Sequence, residues 1–207
     1  MKNLYISLLL ILLSITAQSQ AQDSLVMLQK PKKLASCEQG FLVGYGYGID
    51  TFNITEGNYR PIFLMYRTAL YSPRVKVDEN RKLKFRIYSE YQFNPVMVYK
   101  NGHNTWTYDC GISNGLQVLY TVVPKIQLYA LIGSGIHYAD VKTERQTRGF
   151  LFSDNMDAGF YYYLSKEWAL NFSFRIRHMS NAQLWMPNHG INTSNFLIGM
   201  SKILPGK

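Results

Sequence analysis

The chain has 207 residues, with 22 Lys and Arg against 13 Asp and Glu (formal net charge +9), two cysteines, 16 Tyr, 11 Phe and 15 Gly. That length suits one domain, and two cysteines without Cys-x-x-Cys or ligand spacing exclude a disulfide framework and a cysteine metal centre. Beyond the first residues no apolar run approaches the ~20 residues of a helical span, so a membrane could be crossed only by strands, and basic charge alone does not choose among lipid phosphates, nucleic acid and acidic polysaccharide.

Met1-Lys2-Asn3 gives a short positive start, Leu4 to Thr16 is almost unbroken apolar sequence, and small residues follow at Ala17, Ser19 and Ala21. This pattern predicts a secretory signal peptide over residues 1–21, with cleavage after Ala21 preferred over Ser19. Residues 22–39, centred on Gln29-Lys30-Pro31-Lys32-Lys33, read as a polar periplasmic leader, and residues 40–207 as an outer-membrane barrel domain.

From Gly40 onward, runs of strand-like sequence alternate with turn signals. They fall at about 40–50, 60–71, 82–93, 107–121, 125–138, 149–164, 167–180 and 192–204. The third is the clearest: Lys82, Lys84, Arg86, Tyr88, Glu90 and Gln92 alternate with Leu83, Phe85, Ile87, Ser89, Tyr91 and Phe93. A period of two over that length suits a tilted membrane strand of ~9–11 residues or slightly more. Pro124 and Leu164 to Glu167 mark short connections, whereas Asn53 to Asn58, Asn94 to Thr105, Ala139 to Arg148 and Gln183 to Ile191 read as longer outer loops. The expected fold is therefore all-β, an eight-stranded antiparallel transmembrane β-barrel with both termini in the periplasm. A soluble lipocalin-like barrel is the structural rival, and it would turn its apolar face inward. In the membrane topology Cys37 lies at the inner side and Cys110 at the outer, too far apart for the ~7 Å Cα separation a disulfide needs. Phe160-Tyr161-Tyr162-Tyr163 reads as an interfacial aromatic girdle.

The segment Asn171 to Asn195, NFSFRIRHMSNAQLWMPNHGINTSN, carries the chemistry. Phe172, Phe174, Ile176, His178 and Ser180 share one strand face, and Asn171, Ser173, Arg175, Arg177 and Met179 the other. The first face would meet lipid, where a histidine and a serine are unexpected in a purely structural wall. At i and i+2 they lie about 6–7 Å apart at Cα, and their side chains can lean together as base and nucleophile of serine ester hydrolysis. Arg175 and Arg177 are expected to satisfy the lumen. His103, His137 and His189 read as loop or strand-end residues, since no partner has metal-ligand spacing. Lys142, Arg145 and Arg148, in an outer loop, are the candidates for a substrate phosphate.

The run RHMSNAQLWMPNHGIN resembles the outer-membrane lipid A 3-O-deacylases, the PagL-like family, in its His-x-Ser-Asn-Ala cluster followed by an Asn-x-Gly-type turn and the final strand. The resemblance implies a cofactor-independent serine hydrolase on the outer wall, with lipopolysaccharide (its lipid A, in the outer leaflet) as substrate and no nucleic-acid partner. It implies His178 as base and Ser180 as nucleophile, Asn181 and Ala182 beside the oxyanion through their backbone amides, and Asn188 as oxyanion or substrate-orienting donor. The family's triad acid is a glutamate where this chain has Asn192. An amide orients an imidazole but does not neutralise imidazolium as a carboxylate does. Asp154, Asp157 and Glu167 are the other acids that could serve, and nothing in the sequence places them near His178. The alternative function is a non-catalytic barrel with a structural or lipid-binding role.

Overall fold

The computed structural model describes residues 36–49, 59–71, 83–100, 103–141 and 146–204. They form eight strands: β1 (Ser36–Gly48), β2 (Tyr59–Tyr71), β3 (Leu83–Lys100), β4 (His103–Val123), β5 (Ile126–Ala139), β6 (Gly149–Tyr163), β7 (Trp168–Ser180) and β8 (Ile191–Ile203). Each pairs antiparallel with the next, and β8 pairs with β1 to close the barrel. Closure pairs every strand on both sides, which strands in hydrocarbon require. The expected signal peptide, most of the expected leader, Lys142 and Arg145 lie outside the described residues.

The alternation of residue types decides the faces. Phe41, Ile132, Phe150 and Phe196 stand outward, each more than half exposed, while Arg67, Glu90, Asp109, Asp157, Arg175 and Arg177 are buried inside. An apolar exterior around a charged lumen is the transmembrane arrangement and the inverse of a lipocalin-like barrel. The interior charges are paired. Near the barrel end that holds the start of β1 and the end of β8, Arg86 meets Glu38, which also accepts from Tyr161 Oη at 2.9 Å and Ser201 Oγ at 2.5 Å. In the middle Arg67 and Arg175 share Glu90 and Asp157. Toward the outer end Arg177 donates to both oxygens of Asp109, each at 3.0 Å.

Three expectations need correction. Residues 94–105 are not an outer loop. β3 continues to Lys100 and β4 starts at His103, with Lys100 paired to His103. Pro95, which reads as a strand breaker, is tolerated because the β2–β3 ladder skips it, passing from Pro61↔Val96 to Leu64↔Phe93, while Asn94 and Pro95 keep partners on β4. β1 begins at Ser36, inside the expected leader, because Glu38 is drawn into the lumen by Arg86 and Tyr161. Tyr161 is not part of a girdle. Period two turns it inward, fully buried, between outward-facing Phe160 and Tyr162. Cys110 is a free thiol on β4.

The cross-strand register carries a row of outward-facing residues around the wall: Gln39, Thr68, Ser89, Asn114, Ser134, Asp154, His178 and Asn192 are successive direct partners from β1 to β8. Ile49 N–H then donates to the Asn192 carbonyl at 2.9 Å, so the walk rejoins β1 ten residues past its start. That stagger is the shear that tilts the strands, and it lifts the row toward the outer rim on β7 and β8.

Candidate active site on the outer wall

β7 alternates strictly between the two environments: Asn171, Ser173, Arg175, Arg177 and Met179 are buried in the lumen, and Phe174 and Ile176 face out. His178 and Ser180 continue the outward face, both half-buried. On β8, Asn192 is the direct partner of His178. The His178 Nδ1 lies 2.7 Å from Asn192 Oδ1. A carboxamide oxygen only accepts, so Nδ1 carries the proton and donates, which leaves Nε2 as the basic nitrogen. Asn192 thus fixes both the plane and the tautomer of the ring.

Ser180 is the next outward residue along β7 and pairs with Phe152 of β6. Its hydroxyl has no hydrogen-bond partner among the described residues, and it is not bonded to His178. Residues two apart on one face sit about 6–7 Å apart at Cα, so a change of rotamer is enough to bring hydroxyl and imidazole together. Catalytic hydrogen bonds are commonly open before substrate arrives.

The connection between β7 and β8 is knitted by its own polar groups. Asn181, fully buried, donates from Nδ2 to the Trp185 carbonyl at 2.7 Å, and its carbonyl accepts from Leu184 N–H at 3.0 Å. Its backbone N–H donates to Asn188 Oδ1 at 2.9 Å. That amide is therefore already committed, contrary to its expected place as an oxyanion donor. The same bond anchors Asn188 by its oxygen and leaves its Nδ2 hydrogens to point elsewhere. Ala182 and Gln183 hold positive φ angles of 52° and 67°, a left-handed turn that costs L-residues roughly 1–2 kcal/mol each. The loop is tied sideways as well: Gln146 bridges to Asn188, and Thr147 N–H donates to the Pro187 carbonyl at 3.1 Å. This brings Arg148 next to the site's loop. Arg148 is exposed and holds Asp140 at 3.3 Å, a surface pair weak enough to be exchanged for another anion.

The family model described as lipid A 3-O-deacylase (PagL) matches residues 71–201, well over half of the chain, from the end of β2 to Ser201 in β8. The chain belongs to the lipid A 3-O-deacylase (PagL) family. Among solved structures it is similar to the outer-membrane enzyme PagL, at 14% identity and a TM-score of 0.53 over 78% of this chain and 97% of that one. Ail of Yersinia pestis (13% identity, TM-score 0.47, 82% and 100% covered) and the Neisserial surface protein A (11%, 0.48, 82% and 96%) are also similar. No curated protein matches the sequence.

In this deacylase-family barrel, two features of the site escaped the sequence. Gly190, just before β8, has φ of 78°, and a β-carbon there would lie 2.5 Å from His178 Cε1 and 3.3 Å from Nε2. Only glycine leaves that edge of the ring clear. Its signal, a glycine closing a turn at the start of a strand, is indistinguishable from ordinary turn chemistry. The second is the placement of Asp154 of β6: named above only as one of three candidate acids, it is the direct partner of His178 on its other side. Of the other two candidate acids, Asp157 is spent on Arg175 in the lumen and Glu167 lies in the exposed turn between β6 and β7.

A Ser–His–Asp set, separate from the outer-wall site, lies inside the barrel. Ser113 Oγ is 3.3 Å from His137 Nε2, and His137 Nδ1 is 3.4 Å from Asp109. Its groups are otherwise engaged. Asp109 is bidentate with Arg177 and accepts from Tyr59 and Asn94 at 2.6 Å, and Ser113 Oγ accepts from Asn155 Nδ2 at 3.3 Å. All three are buried, so no lipid ester can approach, and the set works as packing. Among the described residues no group of three His, Cys, Asp or Glu side chains is placed to hold a metal ion.

Proposed function

We propose that this protein resides in the outer membrane and hydrolyses the ester that links a 3-hydroxyacyl chain to lipid A. The observation that carries this reading is the His178 ring, held at Nδ1 by Asn192 at 2.7 Å on the lipid-facing wall beside Ser180. The Ser180 Oγ attacks the acyl carbonyl carbon while His178 Nε2 takes the hydroxyl proton. The tetrahedral intermediate places its oxyanion toward the Asn188 carboxamide hydrogens. Collapse expels the sugar oxygen, which takes the proton from His178 and leaves an acyl-Ser180 ester. Water, deprotonated by the same nitrogen, then releases the fatty acid. The site lies near the outer rim, so a lipid of the outer leaflet reaches it laterally, and Arg148 is positioned to meet a phosphate of the same molecule.

Mass spectrometry of lipid A from expressing cells tests the reading. The expected outcome is loss of one hydroxyacyl chain, abolished by Ser180→Ala and retained in Ser113→Ala, which removes the serine of the interior set. Unchanged lipid A with wild-type protein folded in the membrane leaves the non-catalytic barrel as the reading.

A further inference from the structure

Asp154 is anomalous where it stands. The outward face of β6 runs Phe150, Phe152, Asp154, Met156, Ala158 and Phe160, apolar except for this carboxylate. No other acidic side chain lies on the outward faces of β5, β6, β7 or β8. An ionisable group flanked by Phe152 and Met156 on a lipid-facing wall is expensive and marks function more often than packing. Its direct cross-strand partners are Ser134 on β5 and His178 on β7. Directly opposed residues have Cβ atoms about 4.5–5.5 Å apart. His178 is therefore flanked in register by two side chains, Asp154 on β6 and Asn192 on β8.

Asn192 fixes the ring but carries no charge. When Ser180 gives up its proton the imidazole becomes a cation in a wall of low dielectric, and a neutral amide does little to offset it. We propose that Asp154 is the missing carboxylate of this site: a positioning residue that stabilises the His178 imidazolium through its field from the neighbouring strand. The orienting and charge-balancing tasks that one acid performs in a serine triad are thus divided here between Asn192 and Asp154. Asp154 makes no hydrogen bond to His178 in the resting structure and needs none, because attraction across one strand spacing is strong when water is sparse. The ring stays free to keep its bond to Asn192 throughout the cycle. Proton bookkeeping is unchanged: the proton moves from Ser180 to Nε2 and on to the leaving oxygen, and Asp154 takes no part in the transfer.

This inference rests on Ser180 and His178 being nucleophile and base, and the test separates the two. Ester hydrolysis is measured with purified full-length barrel in detergent micelles containing lipid A, for wild type, Asp154→Asn, Asn192→Glu and the double variant, with Ser180→Ala as the blank. Asp154→Asn is expected to lower kcat at least 30-fold with KM within twofold. In the Asn192→Glu background, where a carboxylate sits on the other flank, the same change should cost less than threefold. An equal loss in both backgrounds, a loss confined to KM, or no loss overturns the role of Asp154 while leaving the Ser180 site intact. Activity in Asn192→Glu but none in wild type also overturns it, since Asp154 then fails to supply the charge. Inactivity of all variants, wild type and Asn192→Glu included, overturns both readings together.

Discussion

The chemistry proposed for the wall depends on which edge of one imidazole is occupied. Asn192 holds Nδ1, and Gly190 leaves the Cε1–Nε2 edge open. A methyl group at position 190 collides with that edge and also sits at φ 78°, where an L-residue is strained by about 1 kcal/mol. We therefore expect Gly190→Ala to reduce deacylation by roughly 10–100-fold, the scale of a sub-ångström to 1 Å misplacement of a catalytic group. The barrel itself should stay folded, because the residue lies outside the strands. Heat-modifiable migration on SDS gels checks folding, and lipid A mass spectrometry checks the rate. An active Gly190→Ala variant would mean the ring edge is not the working one. The shared outward face of His178 and Ser180 was legible in the sequence, because parity puts both with Phe172, Phe174 and Ile176; their candidacy as base and nucleophile came from the resemblance. The place of Asp154 beside His178 was not legible, although the residue was a candidate acid, because a partner 24 positions away is fixed by the β6–β7 register and by no local pattern.

Among the elements, the β7–β8 connection has two separable tasks. Its carboxamide at Asn188 accepts from the Asn181 backbone through Oδ1, which orders the loop, and offers Nδ2 hydrogens, which suit an oxyanion. Substitution can divide these tasks. Asn188→Asp keeps the acceptor and so the loop, but replaces the donor with a second oxygen, whereas Asn188→Ala removes both. If the donor matters, Asn188→Asp should lose about 10²–10³-fold in kcat while the loop keeps its wild-type resistance to protease. If the residue is only a turn brace, Asn188→Asp should be close to wild type and only Asn188→Ala impaired. Element ends were the least legible part of the fold. The strands before Asn94 and after Thr107 were readable by period two, yet Pro95 hid their continuation. The dipeptide Asn101-Gly102 between Lys100 and His103 was the signal that could have revealed it, since Asn-Gly between strand runs is the strongest short hairpin cue.

For the whole molecule, the question is what allows a barrel with so apolar an exterior to keep eight charged side chains buried among its described residues. The lumen answers by balance within layers. In the middle layer two guanidinium groups face two carboxylates: Arg67 reaches Glu90 at 2.7 Å and Asp157 at 3.2 Å, and Arg175 reaches Asp157 at 2.7 Å and Glu90 at 2.8 Å. Every member touches both opposite charges, so removal of one cannot be absorbed by re-pairing the rest. Arg175→Ala leaves a net buried negative charge and is expected to destabilise the barrel by about 3–5 kcal/mol, as for other broken buried pairs. Arg175→Ala with Asp157→Ala removes a neutral pair and leaves Arg67 with Glu90, so it should be less damaging than Arg175→Ala alone despite the larger void. The urea midpoint of the heat-modifiable band in detergent measures both. A double variant at least as unstable as the sum of its singles would show that the layer is held by packing and not by charge balance. None of these substitutions touches the outer wall, so a folded double variant should still remove acyl chains. The polar interior and the lipid-facing site are thereby expected to be independent: one supports the cylinder, and the other uses its outer surface.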